Sequence, residues 1–507
     1  MVVKYFKIMR KLFLLLMLLF ISVGKVFPSE PIDFVSCKKL SETQITLLTS
    51  LQGLAARAQQ PFFLEIGAYE IWLKHLLGNE LRFKENSFEE ILDKYMQYAK
   101  GYVLCDTNNI VVAVAASIPH DAVVVTPETE QLVVSRGLKL KLNVRGKDEA
   151  WLWEYINRNL VHYNRNGIVQ PTGKKPYSMA DYAIAKKLIV INEKDKPEQT
   201  KRFYSLIESN SPRLGWGSPF GDEKRDVGLA AQFGLYTLPT GNTMNLSFFE
   251  ALKSWKLSKL PKRVVKAPKT DVNKHYVMIM MSDGDNLNWH YSGLVAKGKY
   301  KDHPAASKYP ISWMYPPLLK DISPVVHDYY LRSLPASHSM IGGVSGAGYT
   351  FPSQHKDVNR FAALTNQKMK ESGMDYLVIM DFLDFRTKQK ELLSGMMQQM
   401  PDVKGLYYMD YGNYAKWKGD VYFIGDKPVI SMKYRLWKPM DPLEKIAETI
   451  NNAPRNPYST DGYSAVVVHA WSYDMGEVER FIQMLKPDVE LINAEQMMEM
   501  IGKNLKK

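Results

Sequence analysis

"YVMIMMSDGDN", Tyr276–Asn286, decides how the second half of the chain is read. An unbroken apolar run, too short for an ordinary helix, suits a strand buried on both faces, as in a parallel sheet. It stops at a turn in which Asp283 and Asp285 flank Gly284, with Asn286 next. The same arrangement recurs downstream, each apolar run ending in a polar or aromatic residue. "ISWMY" carries Trp313, and "SMIG" runs into "GVSGAGYTFP", Gly343–Pro352. "YLVIM" ends at Asp381, "GLYYM" at Asp410 and Tyr411, and "PVISMKY" at Arg435 and Trp437. "YSAVVVHAW" carries His469 and Trp471, and Asp474 follows.

Helical patterns such as "QHKDVNRFAALTNQKMKES", "KQKELLSGMMQQM" and "DPLEKIAETINNA" separate these runs. Seven or eight strand-and-helix units predict an α/β fold with a TIM-like (β/α) barrel over residues 276–507, whose site is built at the C-terminal strand ends. An open doubly wound sheet would gather ligands at the same ends and is the alternative.

Residues 30–255 also alternate helical and strand patterns, which predicts a smaller α/β region of one or two subdomains. "SETQITLLTSLQGLAARAQ" reads as a helix capped at Ser41 or Thr43. "PFFLEI", "GYVLCD", "NIVVAVAAS" and "DAVVVT" read as strands. Residues 256–275, lysine-rich and broken by prolines, read as a linker.

Residues 1–29 have a basic start and an apolar run from Leu12 to Val23, the form of a secretory signal, with an uncleaved anchor as the rival. Export to a periplasmic or extracellular location is expected, with no membrane span after signal removal. The formal charge of +13 falls to +8 when the five basic residues of this segment are removed. That excess, without a clustered basic helix, does not indicate a nucleic-acid partner. Two cysteines, Cys37 and Cys105, are too few for a disulfide framework, although export would permit them to pair.

Chemistry concentrates in the acids. Two carboxyls in one turn raise each other's proton affinity, a route to a general acid beside a general base. An Asp-Gly turn capping backbone amides is the plain alternative. Asp381 and Asp410 repeat the pattern, and each could equally cap a helix. The absence of an HExxH pattern speaks against zinc peptidase chemistry and that of a GxSxG elbow against a serine hydrolase; there is no GxxxxGK[ST] loop either, and no metal or cofactor is expected. Rings in polar contexts (Trp216, Trp289, Trp313, Trp437, Trp471, Tyr349, Tyr411, Tyr414) suit stacking on sugar faces, and core packing equally.

"GAGYTFP", Gly346–Pro352, resembles the signature of the GxGYxYP family of glycoside hydrolases, with Phe351 in place of the second tyrosine. "SLQGLAAR", "GWGSPFGDEKRDVGLAAQFGLYTLPTGNTMNLSFF", "MSDGDNLNW" and "SWMYPP" are similar to the same family, so the resemblance spans nearly the whole mature chain. "LPTGNTMNLS" departs from it by lacking an acid. The resemblance implies an exported barrel protein with smaller N-terminal α/β domains. By motif match, Asp283, Asp285, Asn286, Gly346, Gly348 and Tyr349 would line its pocket, and Trp216, Asp222 and Glu223 would reach it.

The leading expectation is hydrolysis of a glycosidic bond in an oligo- or polysaccharide. Asp283 and Asp285 would be catalytic, with Asp381 or Asp410 opposite. Arg435, Trp313, Tyr411, Trp437, His469 and Trp471 complete the expected substrate contacts. The glycines would let the signature loop pass close to a sugar. A carbohydrate-binding protein without turnover is the second reading. A deacetylase-like hydrolase with a metal at "SDGD" is the third.

Overall fold

The first strand of the large sheet alternates as a strand in a curved wall must. Met278 and Met280 join an inner cluster with Met314, Met380 and Met409. Val277, Ile279 and Met281 join the outer one. The computed structural model describes residues 30–77, 81–172, 175–192, 197–216, 223–252, 266–295 and 298–506. The expected signal segment, most of the expected linker and Asp222 lie outside the described residues.

The ten strands of this sheet are numbered within it: β1 (His275–Met281), β2 (Ile311–Tyr315), β3 (Ser339–Gly342), β4 (Tyr376–Asp381), β5 (Gly405–Asp410), β6 (Val421–Ile424), β7 (Lys427–Ser431), β8 (Tyr434–Leu436), β9 (Tyr463–Val468) and β10 (Val489–Ile492). Their spatial order is β6-β7-β5-β4-β3-β2-β1-β9-β8, with β10 beside the first half of β1. All pairs are parallel except the β6–β7 hairpin.

The sheet is strongly curled. β7 pairs with β5, and Met432 N donates to Tyr408 O at 3.0 Å. The next residue turns to the other end of the sheet: Lys433 N donates to Ala465 O at 2.8 Å, and β8 continues on β9. The inner face is filled largely by methionine, whose unbranched chain fits an irregular concave space. The C-terminal helix, Ala494–Asn504, adds Met497, Met498 and Met500 to that cluster. It packs against β1, β3 and β7, and Tyr407 Oη donates to Ala494 O at 2.7 Å, which fastens the start of the helix to β5.

Among the described residues, the N-terminal half carries three small parallel sheets, of three, three and four strands. The first is built on Ile32–Ser36 and the second on Tyr102–Leu104. The third runs Leu235–Leu238, Ser211–Gly215, Asn164–Gln170, Leu188–Val190. The helix expected after Ser41 forms over Glu42–Arg57, with Ser41 as its cap. "NIVVAVAAS" is not a strand: Ile110–Ser117 is a helix buried on every side. Strands Tyr102–Leu104 and Val123–Val125 are parallel neighbours and need a crossover between them, which overrides β-branched propensity. An all-apolar helix belongs in such a buried position.

Cys37 and Cys105 are buried free thiols, each pushed up to about 12 by burial. Among the described residues, no helix is long and apolar enough to cross a membrane.

Candidate functional site

The turn after β1 carries Asp283 in the left-handed region, φ 66°, and the chain turns into the short helix Trp289–Gly293. Gly284 has no room for a side chain: a Cβ there would lie 1.9 Å from Met314 O. This close approach of the turn to β2 leaves both acids on the wall of one cavity of about 270 Å³. Asp283 Oδ1 accepts from Trp471 Nε1 at 2.7 Å, and Ser282 Oγ also donates to Asp283. Asp285 is 9 % exposed, and burial, with Asp283 and Glu223 adding repulsion, holds its carboxyl well above the usual range.

The third acid comes from the N-terminal half. Glu223 opens the helix Glu223–Gln232 and accepts from Tyr349 Oη at 2.6 Å. The residue as a whole is exposed at the helix start, while its carboxyl is held by the buried Tyr349 hydroxyl. Burial raises its proton affinity, and Asp283 and Asp226 add to this while the Tyr349 hydroxyl opposes it. The helix is anchored from below by a fully buried pair, Arg213 Nη1 to Asp226 Oδ1 at 2.6 Å. Arg213 also donates to Thr237 Oγ1 at 2.8 Å. The backbone of Thr237 pairs with that of Tyr349 through two hydrogen bonds, 2.7 and 2.8 Å. The third small sheet is thereby docked onto the signature loop.

Rings and apolar groups complete the wall. Trp216, Tyr349, Tyr411, Tyr414, Trp437 and Trp471 line it, with His469, Asn286, Met380 and Met409. Trp437 and His469 stack at 4.3 Å and 8°. Burial lowers the His469 pKa, and Asp283 opposes that shift. Trp471 is 56 % exposed and forms the rim.

Several expected site residues lie elsewhere. Trp313 is on the outer face of β2, buried, with Nε1 donating to His338 Nδ1 at 2.9 Å. Gly346 and Gly348 press against protein: a Cβ on the first would meet Thr365 Oγ1 at 2.4 Å, and on the second Tyr236 Cδ2 at 2.7 Å. Neither lines the cavity. Asp381 is fully buried and accepts from Ser353 N, Ser353 Oγ and Phe382 N at 2.7–2.8 Å, which pins the end of the signature loop to β4. Asp410 lies 3.7 Å from Lys416 Nζ and is not on the cavity wall. Arg435 lines a separate outer groove, bonded to Asp441 and Asn413. Asp474 caps the helix Met475–Gln483.

Met380 and Met409 were not expected in the site, although alternation along β4 and β5 signals them. Among the described residues, no group of three or more His, Cys, Asp or Glu is arranged to hold a metal ion. Glu223, Asp283 and Asp285 all line the cavity.

Comparison with known proteins matches this architecture. Residues 273–502 match the GxGYxYP putative glycoside hydrolase C-terminal domain. Residues 165–250 match the GxGYxYP third domain, and residues 99–159 the GxGYxYP_N second domain. The chain belongs to the GxGYxYP family. Glu223 thus lies in the family's third domain, and Asp283 and Asp285 in its C-terminal domain. The fold is similar to the crystal structure of a putative hydrolase from Bacteroides thetaiotaomicron VPI-5482, with a TM-score of 0.83 at 22 % identity. That match covers 95 % of this chain and 99 % of the other. No curated protein matches the sequence.

Proposed function

We propose that this protein hydrolyses a glycosidic bond in the 270 Å³ cavity, with Glu223, Asp283 and Asp285 as its working carboxyl groups. One observation carries the reading: three carboxyls from two domains face a single cavity walled by aromatic rings. The family's name supports carbohydrate as the substrate class. Asp285, whose proton affinity is raised by burial and then by its acidic neighbours, is suited to donate a proton to the leaving oxygen. Asp283, oriented by Trp471 and Ser282, is its partner as base or nucleophile. Glu223, gripped by Tyr349, is placed to bind hydroxyls or assist either group. The rings supply stacking faces, and Asn286 an amide for a sugar hydroxyl. Asp381 and Asp410 serve the scaffold.

The curled sheet is read as a barrel of seven parallel staves, β1 to β5, the stretch Lys427–Leu436, and β9. Its support is the pairing of that stretch with β5 at one end and β9 at the other. The cavity then sits at the C-terminal strand ends, as catalysis in such barrels requires. The signal-like pattern of residues 1–29 supports action on glycan outside the cytoplasm.

The test is a panel of glycosides and glycans offered to the wild-type chain and to Asp285→Asn. Product from wild type and none from the variant supports the reading. Equal turnover by both removes Asp285 from the mechanism. Binding without product selects a carbohydrate-binding protein.

A further inference from the structure

The acids of the cavity have no basic counterpart. Among its described lining residues there is no lysine or arginine. His469, the one histidine there, has its proton affinity lowered by burial, with Asp283 opposing that shift. Nearby bases are engaged outside the wall: Lys224 lies 4.5 Å from the centre of the Phe382 ring, and Lys416 serves Asp410. Asp285 is nine-tenths buried on the wall and, among the described residues, receives no side-chain hydrogen bond from another residue. It is a buried polar group waiting for a donor.

An acidic ligand group entering this space would shed its water with no cation to receive it, beside Asp283 and Glu223. An ammonium group reverses each of those costs. Its protons fill the open acceptor positions on Asp285 and Glu223, and its charge is attracted to ring faces such as Trp437 and Trp471. The volume, 270 Å³, lies just under the roughly 300–1,000 Å³ of drug-sized pockets, which suits one sugar ring. We infer that the cavity takes a single sugar unit bearing a free amine and rejects the matching acidic sugar. The inference rests on the proposed function only in taking the ligand to be a sugar.

Calorimetric titration of the full chain tests this directly. The probes are the neutral, 2-amino and uronic acid forms of glucose, galactose and mannose, in buffer acidic enough to keep the amine protonated. In at least one series the amino sugar binds about tenfold more tightly than the neutral form, and the uronate at least tenfold more weakly. Glu223→Gln and Asp283→Asn, checked for folding by thermal unfolding, each bring the amino-to-neutral ratio close to one. Overturning results are a uronate that binds as tightly as the amino sugar, a ratio unmoved in both variants, or no binding in any series. The two readings fail separately: a preserved ratio without turnover of any glycoside overturns only the hydrolase, and turnover confined to uronides overturns only the amine.

Discussion

The Tyr349 hydroxyl donates to Glu223 Oε1 at 2.6 Å, joining residues 126 positions apart in two domains of the family. The aromatic residue of the signature loop is therefore a clamp on an acid. Its ring is 2 % exposed and packs on Phe351 at 5.6 Å, so Tyr349 serves the core and the site together. Two substitutions separate these roles. Tyr349→Phe keeps the packing and removes a hydrogen bond to a carboxyl, worth about 1.5–3 kcal/mol if the acceptor is charged. Activity falls while the unfolding temperature changes little. Tyr349→Ala removes the ring as well and costs about 3–5 kcal/mol of stability.

Trp471 gives the opposite separation. It is 56 % exposed, its Nε1 donates to Asp283 Oδ1 at 2.7 Å, and its ring meets that of Trp289 edge-on at 5.4 Å. Trp471→Phe leaves stability within about 0.5 kcal/mol. It lowers kcat/KM about tenfold or more, because Asp283 loses the donor that orients it.

Asp285 is expected to cost the fold stability. Burial first, then Asp283 and Glu223, raise its proton affinity in the folded chain above that in the unfolded one. Its contribution is complete below the unfolded pKa and is lost as pH rises through the folded one. Asp285→Asn has no such loss. The variant should be inactive yet melt higher than wild type, and its advantage should widen as pH rises above about 4, the unfolded carboxyl value. Thermal unfolding at a series of pH values reads this.

Arg213 and Asp226 hold the helix that delivers Glu223. Both are buried, Arg213 completely. Breaking such a pair by Asp226→Ala strands a charge and costs about 3–5 kcal/mol. The double substitution Arg213→Met with Asp226→Leu should recover much of that, as measured by the shift in unfolding midpoint.

What was legible in the sequence was local. The alternation of β1 and the two acids after it occupy one short stretch, and a strand end followed by Asp-Gly-Asp suffices to place both at a rim. The grip of Tyr349 on Glu223 was not legible, because no spacing rule links residues that meet only through docking. The glycines misled for a related reason. Close approach was readable at Gly346 and Gly348, but what approaches is the Phe361–Thr365 helix face and the Tyr236 strand. Trp313 sits one residue out of phase with the inner face of β2, which apolar character on both faces conceals. In "NIVVAVAAS", propensity pointed to a strand where topology needed a crossover helix.

The central claim is that the cavity acids, and not the other strand-end acids, do the chemistry. Measuring kcat/KM on one hydrolysed glycoside for Glu223→Gln, Asp283→Asn, Asp285→Asn and Asp410→Asn tests it most directly. The account predicts losses of about a hundredfold or more for the first three, with wild-type-like rates for Asp410→Asn. A large loss at Asp410, with activity retained when the cavity acids are neutralised, would contradict it.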